Sequence, residues 1–172
     1  MDYLVNSKAR NTFIKNLVLN LNTNTLLLFR FVEKHGKILY DMIKEESNSR
    51  TIFFVHGGTD ANTREQIRHI VESEQDAIIV ASYGVFSVGV DIKNLHNIVF
   101  ASPSKSRVRN LQSIGRGLRK SKNKDIATLY DIADDLSYGS NHNYTLDHFE
   151  ERKKIYKEEQ FNVTEYVVKL KT

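Results

Sequence analysis

Short apolar runs, each followed by a stretch with helical spacing, organise this chain from residue 7 to residue 160. LLLFRFV (26–32), TIFFV (51–55), AIIVA (77–81), NIVFA (97–101) and IATLYDI (126–132) predict strands. They are apolar on both faces, as expected of a parallel sheet covered by helices on each side. Helices are predicted between them over 37–46 and 64–72, the second with Asn62 and Glu65 as a capping pair. An opening helix is predicted over 7–21, with Ala9, Phe13, Leu17 and Leu21 spaced by four along its buried face. NTNT (22–25) breaks that helix, and SNS (47–49) marks a turn. Beyond a loop at 134–143, a charged helix is predicted over 145–160, and the tail FNVTEYVVKL (161–170) alternates like a strand. Alternating strands and helices imply an α/β layer architecture. The expected organisation is one domain over 1–172: an opening linker helix (7–21), a core (26–135), and a C-terminal helix and strand (145–170).

Composition narrows the setting. The 172 residues are 40% hydrophobic and include no cysteine, which excludes disulfides and cysteine-ligated zinc. No apolar run reaches the roughly 20 residues of a membrane span, and the start, MDYLVNSKAR, lacks the apolar stretch of a signal peptide. The expectation is a soluble, cytoplasmic protein.

The net charge of +4 conceals an asymmetry. Residues 104–124 carry eight bases and no acid, leaving 17 bases against 21 acids elsewhere. A basic segment on an acidic body suggests a phosphate-bearing partner. Within it, a helix over 106–119 places Val108, Leu111, Gly115 and Leu118 on one stripe and Arg109, Gln112, Arg116 and Arg119 on another. Interior glycines cost about 1 kcal/mol each, and like charges at these spacings repel. Close docking of the apolar stripe and a polyanion along the other would offset both, since the guanidinium is a planar fork suited to phosphate. A solvated arginine face is the alternative reading. Ligands of an open parallel sheet sit at the carboxyl ends of its strands, so HGGTD (56–60), SYGVFSVGVD (82–91) and SPSKS (102–106) are the other candidates.

These residues carry a resemblance. Gln112-x-x-Gly115-Arg116-x-x-Arg119 resembles motif VI of superfamily 2 helicases and translocases. Ser87-x-Gly89-x-Asp91 after the strand AIIVAS resembles motif V, and LLLFRFV resembles motif IV. His56-Gly57 with Arg64-Glu65 resembles the stretch between motifs IV and V, and Pro103 falls where the family often has one. The chain as a whole is similar to the C-terminal lobe of UvsW-type phage recombination helicases, DNA-dependent ATPases acting on branched DNA.

The resemblance implies a RecA-like three-layer fold with a mainly parallel central sheet flanked by helices. It implies ATP bound between two such lobes, with Arg116 and Arg119 as arginine fingers and Gln112, Gly89 and Asp91 lining the cleft. It implies DNA held through its backbone by Ser82, Tyr83 and the main chain of Gly57 and Gly58, with Lys105 adding unspecific attraction. Tyr83 packing within its loop and Asp91 capping a turn are the plainer alternatives.

The chain departs from a complete motor: it has no G-x-x-x-x-G-K-[ST] and no Asp-Glu pair after a strand. The phosphate loop and the Mg²⁺ ligands are therefore expected on an N-terminal RecA-like lobe, and this segment alone is expected to be inactive. Asp131, Asp134 and Asp135 read as a solvated loop rather than a metal site, and the six histidines as ordinary surface or helix residues. Two other readings stay open: a non-catalytic α/β module binding DNA backbone or a protein, and the motor lobe of an RNA helicase or of a restriction or remodelling enzyme.

Overall fold

The computed structural model describes residues 2–86, 92–102, 127–137 and 143–170. Its centre is a sheet of β1 (Thr25–Phe29), β2 (Ile52–Val55), β3 (Ile78–Ser82), β4 (Asn97–Phe100) and β5 (Thr128–Asp131), all parallel, in the order β2-β3-β1-β4-β5. The five apolar runs thus become the five described strands, and the parallel α/β reading holds.

Two helix layers sandwich the sheet. On one face α2 (Lys8–Asn20) and α3 (Lys37–Glu46) bring Ile14, Val18, Leu39 and Ile43 against Leu27, Phe29, Ile78, Val80 and Val99. On the other, α4 (Ala61–Ser73) and α6 (Tyr144–Glu158) bring Val71 and Tyr156 against Leu26, Leu28, Ile79, Ile98 and Phe100. Neighbouring residues of β1 point to opposite layers, and all five are buried. Two short helices, α1 (Asp2–Asn6) and α5 (Tyr83–Phe86), complete the described elements.

At the amino ends of the strands, buried Asn24 supplies what NTNT hides in sequence. Its amide donates to the carbonyls of Val71, Glu74 and Asn94, and its Oδ1 accepts from Ala77 N–H at 2.8 Å. One side chain therefore fixes the entries to β1 and β3 and the exit of α4.

Several local expectations are corrected. The buried side of α2 is Arg10, Asn11, Ile14, Lys15 and Val18, while Phe13, Leu17 and Leu21 lie half-buried at its flank. The face is turned because two of its charged side chains find partners below: Lys15 reaches Glu46 and Arg10 reaches Asp134. Asp60, not Asn62, caps α4 by accepting from Thr63 N–H at 2.9 Å, and Glu65 pairs with Arg68 instead. β1 ends at Phe29, and the chain enters α3 through a π-helical turn, Val32–Gly36. Gly36 lies so close to the Phe29 ring that any Cβ there would overlap it. The tail 161–170 is exposed throughout and forms no strand, because no sheet edge pairs with it.

Candidate functional site at the carboxyl edge of the sheet

Strand register places the candidate segments side by side. Val55 pairs with Ala81, Ser82 with Phe29, and Leu28 with Phe100, which in turn pairs with Asp131. His56-Gly57-Gly58, Ser82-Tyr83, Arg30, Ser102 and Asp134 therefore leave the sheet along one edge. β3 and β4 flank β1, so their ends stand about 10 Å apart, twice the strand spacing. In sequence, residues 87–91 follow the first and residues 103–119 the second.

Gly89, Asp91, Lys105, Gln112, Arg116 and Arg119, together with the basic helix over 106–119, lie outside the described residues. The four remaining candidates are described. Gly57 is exposed, and a Cβ added to it would meet nothing within 4 Å. Gly58 N–H donates to Nδ1 of His56 at 3.1 Å, and His56 N–H to Thr59 Oγ1 at 3.1 Å, so this loop is closed upon itself. Ser82 is the last residue of β3 and is buried at 8% exposure. Tyr83 belongs to the core: it is 3% exposed, packs edge-on to Phe100 at 5.6 Å between centroids, and its hydroxyl oxygen is enclosed. A phosphate contact through the Tyr83 hydroxyl is therefore not what this geometry offers, and the packing alternative describes the residue better.

The β4–β5 side of the edge holds what sequence reasoning missed. Arg10 is 3% exposed, and its guanidinium donates to Asp134 through Nε at 2.6 Å and Nη2 at 3.0 Å, and to the Ala101 carbonyl at 2.7 Å. His35 is fully buried between Ser102 Oγ, 3.0 Å from Nδ1, and Asn11 Oδ1, 3.1 Å from Nε2. The Asn11 amide nitrogen already donates to Val5 C=O. Its Oδ1 must therefore accept from His35 Nε2–H, which leaves Nδ1 to accept from Ser102. Burial, reinforced by the nearby Arg10 charge, lowers the His35 pKa from 6.5 to about 4, so the ring is neutral. On the other layer, Arg152 donates to both oxygens of Asp131 at 2.7 and 2.9 Å, and Tyr156 OH to the same carboxylate at 2.6 Å. Desolvation, with the Asp131 charge beside it, holds that phenol well above its usual range.

Asp131 and Asp134 are thus neither solvated nor convergent; each is committed to a buried arginine, while Asp135 stays at the surface and accepts from Ser137 N–H and the Asn143 amide. No group of three or more His, Asp or Glu among the described residues is placed to hold a metal ion. Of the surface or helix roles expected of the histidines, His35 takes a helical one, in the turn Val32–Gly36, and is fully buried there.

Comparison with known proteins decides the family. A family model described as the helicase conserved C-terminal domain matches residues 9–121. The chain belongs to that helicase family. It is 38% identical over 173 residues to the ATP-dependent DNA helicase uvsW of Enterobacteria phage T4, covering 93% of this chain and 33% of that protein. It is 28% identical over 140 residues to the putative ATP-dependent helicase IRC3 of Saccharomyces cerevisiae, covering 79% of this chain and 20% of the relative. Against the crystal structure of T4 UvsW the TM-score is 0.74, over 92% of this chain and 34% of that one. Two more distant structures share the fold. They are the C-terminal part of the Fun30 ATPase domain (TM-score 0.57, 13% identity, 90% of this chain and 56% of that one) and the E. coli DEAD-box protein SrmB (0.54, 16%, 72% and 69%). The sheet is accordingly RecA-like. The chain spans about a third or less of the length of the curated relatives it matches. Among the described residues no helix is long and apolar enough to cross a membrane.

Proposed function

We propose that this chain is the second motor lobe of an ATP-dependent DNA helicase or translocase that acts on branched DNA in the cytoplasm. Its work is done against an N-terminal RecA-like lobe of the same polypeptide, which supplies the phosphate loop and the Mg²⁺ ligands, and without that lobe it is inactive. Arg116 and Arg119 act as arginine fingers, stabilising the charge that develops on the transferring phosphoryl group. Gln112, Gly89 and Asp91 line the nucleotide cleft from this side. DNA is held through its phosphates by the open Gly57 loop and the end of β3 at Ser82, with Lys105 adding charge attraction.

The observation that carries this reading is the family match over residues 9–121, joined to 38% identity with a protein named as an ATP-dependent DNA helicase. The strand order supports it, since the segments of motifs V and VI leave the sheet from the two neighbours of β1. The test is DNA-stimulated ATP hydrolysis by the longer polypeptide, with Arg119→Ala compared at matched DNA occupancy. Turnover falls by about 10³-fold or more, the scale of a lost finger in related NTPases, while DNA affinity holds. Retained hydrolysis with weakened DNA binding would place the arginine stripe on DNA instead and overturn the motor assignment.

A further inference from the structure

A pocket of about 100 Å³ opens at the carboxyl ends of β4 and β5, between α1, α2 and the start of α6, and the activity proposed above makes no use of it. Its polar lining comes from Arg10, Arg30, Ser102, Thr145, His148 and Arg152, with Asp134 as the one carboxylate among the lining residues. Two observations mark it as more than a packing gap. The Arg10 guanidinium, 3% exposed, has Nε and Nη2 held by Asp134 and Ala101, yet its buried Nη1 has no hydrogen-bond partner. Nη1 lies across the guanidinium from the edge that grips Asp134, and a buried cationic N–H left unpaired is costly. The second observation is charge. Even with Asp131 counted beneath Arg152, two carboxylates face three guanidiniums, and Arg30 stands exposed with only the Phe31 ring, 5.0 Å away, as its described contact.

The protons of the lining hydroxyls are already spent, whereas the cationic donors remain. Ser102 is bonded to His35, and Thr145 Oγ1 to the Asp134 carbonyl and Asn143. What is left is Arg10 Nη1, the Arg30 fork and the His148 ring, a set that suits an acceptor-only, negatively charged group. We infer that this pocket is a binding site for a small oxyanion of the phosphate class, gripped between Arg10 and Arg30. The same chemistry can come from free phosphate or from a phosphodiester of bound nucleic acid, since the pocket lies on the same carboxyl side of the sheet as the proposed DNA track, at its β4–β5 end. The assignment does not depend on the motor reading, because its signal needs no ATP hydrolysis.

The test is a titration of the ¹⁵N-labelled 172-residue chain with inorganic phosphate at fixed ionic strength, against chloride, followed by NMR. Saturable shifts are expected at the Arg10 Nε–H and at the Ser102 and Thr145 amides. Arg30→Ala should weaken the binding about tenfold, the scale of one charge-assisted hydrogen bond, and Lys44→Ala on α3 should leave it unchanged. A short single-stranded oligonucleotide that moves the same resonances and is displaced by phosphate would identify the source as DNA. Its silence would identify free phosphate, and both results support the site. Absence of saturation, or equal losses in Arg30→Ala and Lys44→Ala, would overturn it and leave a hydrated gap.

Discussion

At β2 and β3 the carboxyl edge of the sheet is made of backbone, whereas at β4 and β5 it is made of buried charge. The loop after β2 is held by its own His56 and Thr59, and Gly57 stands open to solvent. Three strands away, Arg10, His35 and Arg152 tie the strand ends to α2, to the turn before α3 and to α6, through bonds spanning 124, 67 and 21 residues of sequence. An edge that follows a DNA backbone needs exposed main chain and little side-chain commitment. In the proposed motor the end of β4 leads towards the arginine-bearing segment, and Ser102, held by His35, immediately precedes Pro103. Under that proposal a single row of strand ends serves two demands by changing what anchors it.

Breaking the heaviest anchor should have the largest effect. Arg152 and Asp131 are both buried, with side chains 2% and 7% exposed. Arg152→Met strands the Asp131 carboxylate with Tyr156 as its remaining partner and should cost about 3–5 kcal/mol, read by denaturant unfolding of the chain. Adding Asp131→Leu should recover much of that, since replacing a whole buried pair by apolar groups is often close to neutral. If the double variant is no better than the single, the arginine matters for its packing rather than its charge.

The same contrast explains what could be read in the sequence. The strands were legible because Leu26–Phe29 and Ile78–Ala81 are apolar on both faces, and a run of that kind has few homes besides a covered parallel sheet. The family was legible because a few residue types at fixed spacing resemble its motifs, and the family model matches residues 9–121. The clamps were not. Arg10 and Lys15 look like the solvent face of an amphipathic helix until Asp134 and Glu46 are known to lie beneath them, so periodicity alone placed the buried face on Ala9, Phe13 and Leu17. His35 carried no signal at all, because its meaning depends on Ser102 and Asn11 arriving from elsewhere in the fold. The tail failed for the converse reason: alternation at 161–170 is a property of the chain, but a strand requires a neighbour, and none pairs with it among the described residues.

His35 sharpens the comparison through pH. Its pKa falls from 6.5 to about 4 on folding, so between those values the unfolded chain binds more protons than the native one. Stability contributed by the neutral ring is therefore complete above about pH 6.5 and is lost as pH falls towards 4, by about 3 kcal/mol in all. The charge that opposes protonation is Arg10, itself tied to Asp134, so α2 senses the change directly. Unfolding free energies measured across that window should slope in the native chain and flatten in His35→Gln. An equal slope in both would assign the pH dependence to the carboxylates instead.

The smallest effect on stability is expected on the other half of the edge, and it is the more informative for function. A methyl group at Gly57 meets nothing within 4 Å, and the residue is not in the left-handed region, so Gly57→Ala should change stability by less than about 0.5 kcal/mol. If phosphates ride over this loop, that methyl stands where the DNA backbone must approach the Gly57 N–H. DNA affinity of the longer polypeptide, measured by fluorescence anisotropy, should then fall several-fold with no change in its salt slope, because no charge has been removed. Gly58→Ala is the less clean probe, since its Cβ would press on the His56 ring at 2.9 Å and disturb the loop itself. Unchanged DNA affinity in Gly57→Ala, with stability also unchanged, would move the DNA track off the β2–β3 half and remove the functional meaning given to its openness.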